Sequence, residues 1–225
     1  EIDVSIIAGR RPSLLEPTLR SFLDNMLSNF TINKVVVNID PIFGGKQEES
    51  DCVRIVREFF PSAFINLPCQ PNFCKAVIAN WTNIESKYFL HIEDDWILNW
   101  EVETDILDAF RMEEGIKQIT FNNLSKGWDV KKNGQFHYQT RKIYVLGVKT
   151  LFKRKFPKFT TSPSLLDRDF ARAVSARYKP EYDPEKQLYR RVNKSVEDYV
   201  RRYKNLIIGN GPRYPITDIG REWRM

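Results

Sequence analysis

The chain has 225 residues, a formal net charge of +6, 42% hydrophobic and 13% aromatic residues. That is enough apolar material for one sizeable core and too much for a disordered chain. No run of about 18 apolar residues occurs and no signal peptide is visible, which argues against a spanning helix.

The first half alternates strand and helix. Ile2–Ala8 is an apolar strand, and Ser13–Asn25 reads as a helix that Pro12 opens, with Leu15, Leu19, Phe22 and Leu23 on one face. Lys34–Ile39 is a β-branched strand ending at Asp40-Pro41. Ser50–Phe60 predicts a helix, Ala63–Leu67 a weaker strand, Phe73–Trp81 a helix and Tyr88–Ile92 a fourth strand. Near-continuous apolar strands between helices argue for a parallel sheet covered on both faces. Ligands bind such sheets beyond the carboxyl ends of the strands, where Asp40 and Glu93–Asp95 fall.

The second half is less regular. Ile116–Phe121 is a strand, Lys131–Tyr138 reads as a hairpin turning on Asn133-Gly134, and Arg141–Val148 continues it. Lys149–Lys158 interleaves Phe152 and Phe156 with cations. It reads as a solvated helix with two buried rings, rather than a contact for an anionic acceptor or a membrane. Ser164–Arg177 and Ser195–Tyr203 predict amphipathic helices, and Asn205–Ile208 a last strand. There is no internal repeat and no linker, so 1–225 reads as one domain with two functional halves, 1–100 and 101–225.

Chemistry concentrates at Glu93, Asp94 and Asp95. Alternation along a strand puts Glu93 and Asp95 on one side and Asp94 on the other. Three adjacent carboxylates repel one another, so a metal ion or cationic side chains should lie nearby. A solvated acidic turn is the simpler explanation, but the buried strand before it and Trp96 and Trp100 after it favour a site. Other nucleotide signatures are missing: "FGGK" (Phe43–Lys46) lacks P-loop spacing, and no G-x-G-x-x-G follows the first strand. Cys52, Cys69 and Cys74 lack CxxC spacing and read as free thiols in a reducing compartment. Sequons at Asn29, Asn80, Asn123 and Asn193 matter only in a secreted chain.

The segment "FLHIEDDW" resembles the DxD-type metal motif of nucleotide-sugar-dependent glycosyltransferases of the GT-A fold. "VSIIAGRRPSLLEPTLRSFLDN", "VVVNIDP", "QPNFCKAVIAN", "VEDYVRR" and "ITDIGREWR" resemble further segments of that family, in the same order. The resemblance implies a Rossmann-like, mostly parallel α/β sheet flanked by helices, with a nucleotide-binding half at 1–100. A smaller acceptor-side hairpin and helical region would fill 101–225. It implies that Ala8, Gly9, Arg10 and Arg11 lie beside the nucleoside and that Asp40 accepts from a base N–H. Asn72 and Lys75 would reach ribose or phosphate, with Glu93 and Asp94 touching ribose or sugar. Asp95 would bind Mn2+ or Mg2+, with Asp218 standing where the family often has a His. Asp198 would be the catalytic base of an inverting transfer, with Glu197 secondary. Residue-level alternatives remain: a solvated loop at Arg10-Arg11, a turn at Asp40, a helix cap at Asn72, and a helix start capped by Ser195 at Glu197-Asp198. Trp96, Trp128 and Trp223 suit stacking on sugar faces or plain packing. His91 reads as core, and His137 as a hairpin residue without a partner.

The reading is therefore a metal-dependent glycosyltransferase. It would take a nucleotide-sugar donor, UDP-linked, and a carbohydrate or glycoconjugate acceptor, and not nucleic acid. The rivals are a nucleic-acid-binding module, which has no use for Glu93–Asp95, and a metal-dependent nucleotidyltransferase, which wants a Gly-rich loop after the first strand. The expected location is the cytoplasm or the cytosolic side of a membrane, with no positive sign of membrane contact. A start at Glu1 instead of Met leaves room for a truncated secretory-pathway enzyme.

Overall fold

The computed structural model describes residues 1–145, 148–210 and 213–221, with the backbone alone considered at 143–145 and 148–150. The first half folds as β1 (Ile2–Ala8), α1 (Pro12–Asn25), β2 (Ile32–Ile39), α2 (Lys46–Phe59), β3 (Phe64–Asn66), α3 (Phe73–Thr82) and β4 (Tyr88–Glu93). The second continues with β5 (Trp96–Leu98), α4 (Ala109–Met112), β6 (Ile116–Phe121), α5 (Val130–Asn133), β7 (Tyr138–Val145) and β8 (Val148–Pro157). It ends with β9 (Ser164–Asp167), α6 (Arg168–Ser175), α7 (Pro184–Tyr189), α8 (Lys194–Val200), β10 (Lys204–Ile208) and β11 (Ile216–Asp218).

Seven strands form one sheet in the order β10-β6-β9-β4-β1-β2-β3. Neighbours run parallel except at β9, which is antiparallel to both β4 and β6. The strand side chains feed two cores on opposite faces, as a period of two requires. Val4, Ile6, Val37 and Leu90 pack with Leu15, Leu19 and Phe22 of α1 and Val56 of α2. Ile7, Val36, Phe89 and Leu166 pack with Val77 and Trp81 of α3, Phe170 and Val174 of α6, and Val196 of α8. Polar groups inside the sheet bond to one another and to backbone. Asn80 donates to the Ile6 carbonyl at 2.9 Å, and Trp81 Nε1 donates to His91 Nδ1 at 3.2 Å. Burial pushes His91 down to about 3, so it is a neutral core residue as its strand position suggested.

Several expectations are corrected. Ser164–Asp167 is a strand, not the start of a helix, because Leu165 and Leu166 complete the two cores between β4 and β6. Asn133-Gly134 is no hairpin turn. Asp129 caps a short helical turn there, and Gly134, at φ 88°, ends it in the left-handed region. The hairpin is β7–β8, so Lys149–Pro157 is strand, and Phe152 is exposed, not buried. Asn193, not Ser195, caps α8 by accepting from the Val196 N–H. Asn80, Asn123 and Asn193 of the sequons are buried, and all three cysteines are free. No helix among the described residues is long and apolar enough to cross a membrane.

Candidate active site

From β1 the chain crosses first to β2 and β3 on one side, then returns to β4 on the other. The order reverses at β1/β4, and the crevice beyond that point is where open α/β sheets bind ligands. Three strand ends meet there. The Asp40 N–H donates to the Ala8 carbonyl at 2.8 Å, and the Asp94 N–H to the Ile7 carbonyl at 3.0 Å. Asp40 and Asp94 therefore flank the Ala8-Gly9 backbone. A cavity of about 180 Å³ at this point is lined by Gly9, Arg11, Asp40, Glu93, Asp94 and Asp95 among others.

The cation that the acid triplet demands is Arg11. Its guanidinium pairs with both oxygens of Asp94, Nε lying 3.2 Å from Oδ2, and reaches Asp95 Oδ2 at 3.4 Å. Asp94 and Asp95 thus share one partner, and the predicted alternation stops at Glu93 because the strand ends there in a turn. The Gly9 N–H donates to Asp94 Oδ2 at 2.9 Å. A Cβ on Gly9 would come within 2.9 Å of Phe43, whose ring lies over Arg11 at 4.6 Å. Burial holds the Asp94 carboxyl above its usual range in spite of Arg11, whose own pKa the two acids raise against burial. Thr18 of α1 locks the turn, donating to the Asp94 carbonyl and accepting from the Trp96 N–H.

Asp40 is buried and faces the same cavity. It accepts from Asn38 Nδ2 at 2.8 Å and from the Asn72 N–H at 3.2 Å, while burial raises its pKa. Asn72 is a helix cap: its oxygen accepts from the Lys75 N–H and its amide donates to the Pro180 carbonyl. Lys75 is exposed and lines neither this cavity nor the cleft beside it. Arg10 turns away to Glu49 of α2, Nε to Oε2 at 3.1 Å.

Beyond Glu93 the cavity opens into a polar cleft of about 460 Å³, lined by Glu93, Trp96, Lys126, Lys158, Glu185 and Asp218 among others. Pairing of β11 with β5 sets Asp218 opposite Trp96, and the Ile219 N–H donates to the Asp95 carbonyl at 2.9 Å. Gly220 lies so close that a Cβ there would fall 2.2 Å from Asp95 Oδ2. Asp95 and Asp218 thus lie on adjoining backbone. Glu93 accepts from Trp96 Nε1 at 3.0 Å. Burial, then the charge of Asp95, pushes its carboxyl up to about 8. Burial pulls Lys126 down to about 8 against the pull of Glu185 and Glu93. Sequence reasoning missed Lys126 and Glu185. Lys126 sits in a loop without a motif, and Glu185 opens α7, a helix too short to show a period.

Glu197 and Asp198 are not brought to this cleft. They line a separate cavity with Lys142, Arg154, Arg191 and Arg201, which shares no lining residue with the acid pocket or the cleft. Burial acts to raise Glu197, but hydrogen bonds from Arg141 and Arg201 leave it below its usual range. Asp198 is lowered by its hydrogen bond from Lys194. Trp128 packs edge-on against His137 at 5.1 Å, and Trp223 lies outside the described residues.

Among the described residues no three His, Cys, Asp or Glu side chains converge as a metal site. Asp95 and Asp218 offer two hard carboxylates. Asp95 meets Arg11 and Asp218 meets Arg221, so each carboxylate already faces a cation.

No protein-family model matches the chain, and no curated protein matches it. Solved structures do. A mannosyltransferase, PcManGT from Pyrobaculum calidifontis in complex with GDP-Man and Mn2+, superposes at TM-score 0.59 with 10% identity, over 94% of this chain and 55% of that one. TarS 1-349 of S. aureus gives 0.57 with 13% identity, over 95% and 59%. A putative glucose-1-phosphate thymidylyltransferase from Bacillus anthracis gives 0.54 with 14% identity, over 97% and 89%. The fold is therefore the GT-A-like α/β fold that glycosyltransferases and nucleotidyltransferases share. The chain spans a little over half the length of the first two.

Proposed function

We propose that the protein transfers a sugar from a nucleotide sugar to an acceptor hydroxyl. The observation that carries this is the placement of Asp40 and the Glu93–Asp95 cluster around Gly9 at the switch point, opening into a charged cleft. In this reading Asp40, fixed by Asn38, accepts from the N–H of a uracil or guanine base, and a UDP-linked donor fits. Gly9 lets the nucleoside lie against backbone. Asp95 and Asp218 would hold a divalent cation, whose chemistry is to neutralise the charge on the departing diphosphate. Lys126 and Lys158 supply positive charge in the same cleft, which burial weakens in both. The cleft beside Trp96 admits the acceptor. Glu93, tuned to about 8 and facing both spaces, takes the hydroxyl proton in place of Asp198.

Nucleotidyl transfer on the same fold is disfavoured by the β1 loop. A triphosphate needs cations at its α-phosphate, and both cations of that loop are engaged, Arg10 by Glu49 and Arg11 by Asp94 and Asp95. The products separate the two readings. Incubation with UDP-sugars and Mn2+ should release UDP in proportion to a hydroxyl-bearing sugar or glycoside acceptor. Pyrophosphate release from a nucleoside triphosphate and a sugar phosphate, without UDP release from any donor, would overturn the proposal.

A further inference from the structure

We infer that the β7–β8 hairpin docks the protein on an anionic lipid surface, independently of the reaction the cleft performs. The hairpin is a two-stranded sheet of its own, outside the seven-stranded one. Its base is fastened to the body: Gln139 Nε2 donates to the Tyr189 carbonyl at 3.1 Å, and Arg141 pairs with Glu197. From Tyr138 to Lys158 the sequence holds seven Lys or Arg and no Asp or Glu. The register makes this costly. Arg141 stands opposite Arg154 and Lys142 opposite Lys153, and like charges across an antiparallel pair repel. Glu197 offsets Arg141, and a negative counter-surface relieves the repulsion at Lys153 and Arg154.

Apolar groups stand among these cations. Leu151 is 99% exposed and Phe152 74%, directly before Lys153, Arg154 and Lys155. In the sequence, residues 143–148 read Ile-Tyr-Val-Leu-Gly-Val. Toward the base, Arg154 and Arg191 line a cavity of about 540 Å³ together with Lys194 and Arg201, which Asp198 and Glu197 already pair. Exposed Leu151 and Phe152 beside a belt of cations are what an interfacial anchor needs. The former enter the acyl boundary, and the latter meet anionic headgroups. A nucleic acid would use the cations but leave Leu151 in water. A second copy of the hairpin would oppose cation to cation.

The test is co-sedimentation with vesicles of phosphatidylcholine, with and without phosphatidylglycerol, at low and high salt. Binding should require phosphatidylglycerol and weaken with salt. Lys153→Glu with Arg154→Glu should lower partitioning at least about twentyfold, at roughly fivefold per cation near the surface. Leu151→Ser with Phe152→Ser should remove the binding that survives high salt. Leu151→Ser alone, at a fully exposed position, serves if the pair misfolds, and circular dichroism on heating checks each variant. Equal binding to both vesicle types, no binding to either, or unchanged binding by the folded variants would overturn the inference. So would hairpin-dependent dimerisation or RNA binding in the absence of vesicle binding.

Discussion

Replacing Arg11 by Ala should expose how the acid cluster is held. Arg11 is 7% exposed and Asp94 2%, so the substitution leaves buried carboxylates without their cation. Breaking a buried pair from one side costs about 3–5 kcal/mol. The adjacent cavity of about 180 Å³ lets water reach the acids, which favours the lower end. At about 3 kcal/mol, a chain of this size should lose roughly 6–12 °C of melting temperature. The loss should depend on pH in a definite direction. Without Arg11 the native Asp94 carboxyl rises further above its unfolded value of about 4. Between the unfolded and native values the folded protein then binds more protons than the unfolded chain, so stability falls as pH rises through that window. The variant should come closest to the parent near about pH 5 and fall furthest behind near about pH 8. Urea unfolding at both pH values reads this directly. A deficit below about 1 kcal/mol at neutral pH, or one as large in acid, would refute the role given to the guanidinium.

Three other perturbations address the nucleotide and the cleft. Asp40→Asn should weaken UDP binding by about 1.5–3 kcal/mol, one charge-assisted hydrogen bond, in calorimetry, whereas unaltered affinity would reduce Asp40 to a turn residue. Glu93→Gln should lower the transfer rate and abolish the rise with pH that deprotonation of Glu93 gives the parent; a parent rate that does not rise with pH would remove Glu93 as the proton acceptor. Gly220→Ala places a methyl group on the Asp95 carboxylate and should reduce nucleotide-dependent Mn2+ binding in titrations while leaving UDP affinity without metal nearly intact. Intact Mn2+ binding by that variant would mean that Asp95 is not a ligand.

The first half of the molecule was legible because its signals are local. β-Branched runs and a helical period fix β1, α1, β2 and β4 to within a few residues, and the acids follow from where β4 ends. The second half was not, since tertiary pairing overrides its local pattern. Ser164–Asp167 fits the helical period of α6 and becomes a strand only because the slot between β4 and β6 takes it. Lys149–Lys158 looks like a surface helix, and Lys149–Pro157 is extended because β7 pairs with it. The partnership of Arg11 with Asp94 spans 83 positions and leaves no trace in either neighbourhood. The separation of Glu197 and Asp198 from the cleft is likewise a matter of which way α8 faces.

The antiparallel strand β9 also constrains how the chain can fold as it is made. β4 is complete at Glu93, but its second neighbour arrives only with Ser164–Asp167. Until then the edge of β4 offers unpaired N–H and carbonyl groups beside Phe89 and Leu90, the pattern that recruits foreign strands. Closing so long a loop makes that contact slow to form. A chain cut before Ser164 should retain most of the nucleotide pocket in its sequence and yet aggregate. The second half thus acts on the first as an internal chaperone, sealing the sheet that carries the acids.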